Sequence, residues 1–323
     1  MSSTLSVRVL ALAIAATVLL PAAASARSSV RVGIGDQSPA MFASPQFQQL
    51  QIKRTRYFVP ADVMRDSAER EKARAFVIAA RNAGVSTLLH ISTTDLRSKR
   101  GPVVSKSRYR KDVGRFVKYF RALGVRDFGA WNEANHKTQE TWNRVSYAVS
   151  YFKYMYSAVR KRCKTCAVVA LDVLDQPNVE RYIRSFYGRL SRTWRKRAKI
   201  VGIHNYADVN RKRTSGTRSI IRTARRYNRS TKFWFTETGA LAGFQKSFRY
   251  SEARQASRMK SMFSLASRFK RQGVQRVYSY NWFGTENGGC GSKCRFDAGL
   301  VDPDGSPRPV YGVFKGKLRN YSR

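Results

Sequence analysis

Two glutamates interrupt apolar runs in this sequence: Glu133 in FGAWNEANH (128–136) and Glu237 in TKFWFTETG (231–239). A carboxylate at the end of a buried run is costly to desolvate unless it is partnered or used. Helix capping is the other common reason for an acid at such a place. It suits Asp62, Asp95 and Asp208, which read as loop residues, but not Glu133 or Glu237. Two carboxylates facing each other across a cavity can divide one reaction between them. One protonates a leaving oxygen while the other attacks or stabilises an anomeric carbon, the requirement of glycoside hydrolysis. Asn132 adjoins Glu133, and a regular strand would point the two to opposite faces. For both to meet one ligand, the strand end must bulge or turn.

Other polar groups fall at similar places. His204 and Tyr206 in GIHNY are two apart and would share one face of a strand. Trp282 in YNWFG could stack on the apolar face of a sugar ring. Arg56 could hold a carboxylate in its ionised form. His90 in LLHIS reads as a satisfied core histidine. Three histidines in unrelated positions make no metal site, and nothing calls for a cofactor.

These residues need elements to carry them. Apolar or β-branched runs at 29–36, 53–59, 85–92, 125–131, 167–173, 200–206, 232–237 and 274–282 read as eight strands. Between most of them apolar residues recur at helical spacing, as in Val113, Phe116, Val117 and Phe120, in Tyr151, Tyr154, Met155 and Ala158, and in Met259, Met262, Phe263 and Ala266. Three helical patterns stop at Gly84, Gly124 and Gly273, and a strand follows each. Alternating strands and helices point to a parallel sheet, and the length suits a single (β/α)8 barrel over residues 27–323. An open doubly wound sheet would want a Gly-rich phosphate loop. VGIGDQ (32–37) has GxG but no third glycine opening a helix, and reads as a turn. Every strand ends near an acid: Asp36, Asp62, Asp95, Glu133, Asp172 with Asp175, Asp208, Glu237 and Glu286. In a barrel those ends share the C-terminal face, where such folds keep their chemistry.

Residues 1–26 have one early charge (Arg8), an apolar run from Val9 to Leu20 and Ala24-Ser25-Ala26, the layout of a secretory signal peptide. That run is short for a membrane span of about 20 residues, and no later stretch is apolar enough to span. A secreted protein is therefore expected. Four cysteines form two close pairs, Cys163/Cys166 and Cys290/Cys294. CxxC raises zinc and redox readings, but two local disulfides suit an oxidising compartment better. The formal charge is +42, from 62 Lys+Arg against 20 Asp+Glu. Such a surface attracts polyanions, yet the basic residues are spread along every segment. Non-specific attachment to an anionic envelope or matrix fits this spread, whereas no motif supports a specific nucleic-acid site.

Taken together the motifs resemble those of the clan A glycoside hydrolases, retaining enzymes on (β/α)8 barrels, from the first strand to the C-terminus. Trp-Asn-Glu at 131–133 resembles that clan's acid/base motif, and Thr-Glu at 236–237 its nucleophile. His204 and Tyr206 resemble its strand-six pair, in which the tyrosine contacts the nucleophile. GLVDPDGSPRPVYGVF (299–314) is similar to its closing segment, a short hairpin leading into the last helix. The resemblance implies Glu133 as acid and then base, Glu237 as nucleophile, and Asn132 as a ligand of the sugar 2-hydroxyl. It also implies carboxyls about 5–5.5 Å apart. The clan usually has proline after the acid/base glutamate, where this chain has Ala134.

The expectation is therefore a secreted retaining glycosidase acting on a poly- or oligosaccharide. The alternative is a glycan-binding barrel, weak or inactive in catalysis, attached to an anionic envelope. Acids around the mouth suggest a neutral glycan. The basic segments LRSKR (96–100) and NRKRT (210–214) beside the mouth leave room for an acidic one.

Overall fold

A computed structural model describes residues 27–94, 103–285 and 295–323. Residues 1–26, with the expected signal peptide, lie outside the described residues, as do Asp95, the LRSKR segment, Glu286, Cys290 and Cys294.

The eight expected strands all form. They are β1 (Ser28–Gly35), β2 (Arg54–Pro60), β3 (Ser86–Ser92), β4 (Asp127–Gly129), β5 (Ala167–Leu174), β6 (Ile200–His204), β7 (Lys232–Thr238) and β8 (Val274–Tyr280). Each pairs in parallel with the next, and β1 pairs with both β2 and β8, so the sheet closes on itself. This is a single (β/α)8 barrel. In β3 only Ser86 is exposed, the pattern of a strand covered on both faces. A two-residue strand, β9 (Tyr321–Ser322), lies along the start of β1 at the N-terminal face.

The helices form the outer layer through apolar stripes. In α2 (Ser67–Asn82) Asp66 caps the N-terminus by accepting from the Ala68 and Glu69 N–H groups, while Ala73, Phe76, Val77 and Ala80 are buried. In α3 (Lys106–Ala122) the expected residues Val113, Phe116, Val117 and Phe120 are buried, and so are Met259, Met262, Phe263 and Ala266 of α9 (Glu252–Phe269). In α4 (Val145–Arg162) the stripe is rotated slightly: Tyr151 and Met155 are buried, and Tyr154 sits at its edge. The three glycine stops all adopt positive φ, between 68° and 97°, which reverses the chain into the next strand at no steric cost. Among the described residues no helix is long and apolar enough to cross a membrane. Cys163 and Cys166 form the expected local disulfide just before β5.

The inside of the barrel is filled in two charged layers. Near the N-terminal face Leu88, Val169, Trp234 and Tyr278 pack together. Arg276 of β8 reaches across to Asp127 of β4 (2.5 Å), with its guanidinium 3.7 Å from the Trp234 ring centroid. Near the C-terminal face the layer is Arg56, His90, Asp172 and His204. Two glycines make room for it. A Cβ at Gly129 would lie 1.7 Å from the His90 ring, and one at Gly202 would lie 1.8 Å from Asp172 Oδ1.

Candidate active site

The upper layer forms the floor of a cavity of about 610 Å³ that opens at the C-terminal face. Glu133 reaches it because β4 stops at Gly129 and the chain then zigzags between its neighbours. Ala130 N–H donates to Val169 O, Asn132 N–H to Ile91 O and Ala134 N–H to Asp172 O (3.1, 2.8 and 2.8 Å). Glu133 itself takes φ of 47°, a left-handed turn. This is the turn that the adjacency of Asn132 and Glu133 demanded, and both side chains line the cavity. At the departure, Ala134, the backbone N–H is in use: it is the donor to Asp172 O. Proline has no N–H to make that bond.

Glu237 sits near the end of β7, with both carboxylate oxygens engaged. Arg56 Nη1 donates to Oε2 at 2.7 Å and the Tyr206 hydroxyl donates to Oε1 at 3.0 Å. Arg56 also donates from Nη2 to Asn132 Oδ1 (2.5 Å) and lies 3.7 Å from Asp172 Oδ2. Burial alone would lower the affinity of Arg56 for its proton, but Glu237 and Asp172 outweigh it and raise the pKa. Tyr206 opens the short helix α7 (Tyr206–Asn210) rather than continuing β6, so it meets Glu237 from a turn and not from a shared strand face. Its pKa is pushed well above the usual phenol range by burial and by Glu237, which keeps it a donor.

Glu133 has a different partner. His204 Nδ1 lies 3.0 Å from Glu133 Oε1, and its Nε2 lies 2.9 Å from Asp172 Oδ2. Burial would lower the His204 pKa, but Asp172, Glu237 and the bond to Glu133 together push it up to about 10. His204 is therefore an imidazolium at neutral pH. Asp172 shows the reverse: burial would raise it, yet His204, His90 and Arg56 hold it well below the usual carboxylate range. His90 is lowered to about 3 by burial and accepts from Arg56 Nε at 3.3 Å; it is the core histidine expected but not a fully satisfied one, since its Nε2 makes no hydrogen bond and lies 3.8 Å from Asp172 Oδ2.

Ligand atoms of Glu133, His204 and Glu237 all lie within 4.8 Å of one another. Three such groups could in principle hold a cation. The Arg56 guanidinium, 2.7 Å from Glu237 Oε2, already supplies one positive charge beside this group.

Trp282 corrects the sequence reading. It is fully buried and packs edge-on against Phe47 (5.5 Å) and beside Tyr311, in the outer layer. The strand ends at Tyr280, and Asp36 Oδ2 then accepts from both the Trp282 and Phe283 N–H groups, turning the chain away from the mouth. The aromatic lining comes instead from Phe58, Tyr280, Phe244, Phe248 and Phe296. Tyr280, two residues earlier on the same predicted strand, could have been found by extending the period-2 pattern. Phe244, Phe248 and Phe296 lie on loops with no periodic signal. Asp172 was legible as a strand-end acid, but its place beneath both glutamates was not. Asp208 accepts from the Gly216 and Thr217 N–H groups at the start of α8 (Ser215–Tyr227), the capping role expected of it. Asp62 does not cap α2, since Asp66 does.

Comparisons with known proteins bear on the fold. No family model and no curated sequence matches the chain. Solved structures do. A glucosidase from Croceicoccus marinus aligns with a TM-score of 0.66 at 12% identity, over 91% of this chain and 66% of that one. A β-xylosidase from Caulobacter crescentus aligns at 0.63 and 14%, over 88% and 67%. A GH10 endoxylanase from a sugarcane soil metagenome aligns at 0.60 and 13%, over 89% and 97%. The chain thus spans about two thirds of the first two proteins and nearly all of the third. At such identities the likeness is one of fold: this chain shares the eight-stranded barrel of these glycoside hydrolases, the fold that the clan A resemblance implied.

Proposed function

We propose that the protein is a retaining glycoside hydrolase, with Glu237 as nucleophile and Glu133 as acid/base. The observation that supports this most directly is the asymmetric pairing of two close carboxylates. Glu237 is aimed by a guanidinium and a phenol, and Glu133 is bonded to a histidine. Their separation fits attack by the enzyme better than attack by an intervening water, which needs about 6.5–9.5 Å.

In the first step a Glu237 oxygen bonds to the anomeric carbon as the glycosidic C–O bond breaks. The leaving oxygen takes the proton from Glu133. In the second step Glu133, now a carboxylate, takes a proton from water; the water oxygen bonds to the anomeric carbon and the Glu237 ester bond breaks. His204 Nδ1, 3.0 Å from Glu133 Oε1, orients the Glu133 carboxyl. The Asn132 carbonyl oxygen is committed to Arg56, which assigns its NH₂ group to a sugar hydroxyl. Phe58 and Tyr280 offer ring faces to the substrate.

Secretion, and attachment through the basic exterior to an anionic envelope or matrix, extend this proposal. The charge distribution favours attachment, because Asp36, Asp112, Glu140, Asp172, Asp175, Asp208, Glu237 and Asp297 are buried, which leaves the outer surface with fewer acids than the composition alone would give it.

The test is reducing-sugar release from β-glucans, xylans, galactans, arabinans and uronate polymers by the protein and by Glu237→Gln. Turnover of one class is expected, falling by at least about a hundredfold in the variant. Equal glycan retention by both proteins with turnover by neither would replace this reading with the glycan-binding barrel.

A further inference from the structure

The charges within the cavity do not cancel evenly around its wall. On the floor Glu133, Glu237 and Asp172 face two buried cations, Arg56 and His204. Each of these carboxylates contacts one of the cations: Glu237 and Asp172 meet Arg56, and Glu133 and Asp172 meet His204. Asp175, the remaining carboxylate on the lining, accepts from the Ala207 and Asp208 N–H groups at 3.1 and 2.7 Å, and burial pushes its pKa up to about 7. The acids that suggested a neutral ligand are thus consumed within the protein.

The wall carries two further cations. Arg211 and Arg213 follow α7, the helix whose first residue contacts Glu237, and both line the cavity. Arg213 Nε lies 3.3 Å from Asp208 Oδ1, so part of its charge is spoken for. Arg211 lies against an aromatic ring instead, its guanidinium carbon 5.8 Å from the Phe248 centroid. A guanidinium on a ring keeps its N–H edge open to a planar anion. Phe248 and Phe244, neighbours on this wall, hold each other through paired backbone bonds (2.8 and 3.1 Å), which gives Arg211 a defined platform.

Resting on the hydrolase reading, we infer that the preferred substrate is an anionic saccharide, with Arg211 as the principal selector and Arg213 assisting. The carboxylate of a uronic acid and a sulfate ester share the required chemistry, a compact oxyanion on a sugar ring.

The experiment measures binding in the Glu237→Gln background, so that no turnover is needed. The ligands are a uronate oligosaccharide, its carboxyl-reduced neutral counterpart and a sulfated oligosaccharide, at about 0.15 M ionic strength, where exposed long-range charge is screened. The charged ligand is expected to bind more tightly than the neutral one. Arg211→Gln should cut that preference at least about tenfold, the loss of one charge-assisted hydrogen bond, and Arg211→Gln/Arg213→Gln should cut it further. Arg229→Gln, a charge loss outside this cavity, should leave the preference where it was. Whether the uronate or the sulfate shows the larger effect identifies the anion. Equal affinity for charged and neutral ligands, or an equal effect of Arg229→Gln, overturns the inference. Selective binding of the anion alongside no turnover of any glycan by the protein overturns the hydrolase reading alone.

Discussion

The two charged layers inside the barrel are built from similar parts and do different work. The lower one crosses the barrel with a single pair, Arg276 to Asp127, and Arg276 also lies over Trp234 and reaches the Tyr278 hydroxyl at 3.2 Å. Arg54 of β2 lies at the same level, its pKa lowered by burial and by the nearby Arg276, and its Nε has no hydrogen-bond partner. In the upper layer three carboxylates share two cations, and two of those carboxylates line the cavity. Buried charge alone therefore does not mark a site. Carboxylates that line an opening do, as Glu133 and Glu237 do here.

The difference can be broken by substitution. The largest effect is expected from Asp172→Asn. It removes the charge under both His204 and Arg56 without touching a cavity-lining glutamate. Loss of one partner from a buried pair costs about 3–5 kcal/mol, so the thermal midpoint should fall. His204 loses the neighbour that does most to raise it, so it should deprotonate at lower pH. Turnover should drop at least about tenfold, with the alkaline limb of the pH–rate profile moved down. A profile superimposable on that of the parent would show that Asp172 is structural only.

In the lower layer, Asp127→Asn and Arg276→Met should each cost stability toward the lower end of about 3–5 kcal/mol, since both side chains are slightly exposed. The double variant should cost less than the sum, and kcat should hold in all three. Chemical denaturation beside initial rates checks this. A fall in kcat as large as that of Asp172→Asn would erase the distinction between the layers.

The smallest effect sharpens the comparison with a buried acid that has neither a cation nor a catalytic task. Burial pushes Glu140 up to about 7, and its partners are the Val104 N–H and Thr93. A carboxyl raised in the fold contributes stability below its unfolded pKa, near 4.5, and loses it as pH rises through about 7. The stability gap between the parent and Glu140→Gln should therefore shift in favour of the variant from pH 4.5 to 7. A gap independent of pH would remove the assignment.

The strands were legible because each is a short apolar run bounded by a glycine stop or an acid, and parallel strands buried on both faces leave that signature. The two glutamates were legible for the opposite reason, as charges where burial should forbid them. What stayed hidden depends on direction. Trp282 looks like a rim residue until Asp36 is seen to turn its backbone away. Gly129 and Gly202 look like ordinary strand glycines, and only the three-dimensional arrangement shows that His90 and Asp172 occupy the space their side chains would take. Arg211 stood in a basic segment like many others in this chain. Its distinction lies in facing Phe248 rather than an acid, and spacing along the sequence carries no trace of that.

The pairing of β9 with β1 has a practical consequence. The Ser28 N–H donates to Asn320 O at 2.8 Å, and Ser322 bonds back to Ser28 O. Both ends of the described barrel thus leave from its N-terminal face, opposite the cavity. On a chip or bead coupled through a tag beyond Arg323, the molecule would stand with its mouth toward the solution, open to polymers too long to slip beneath it.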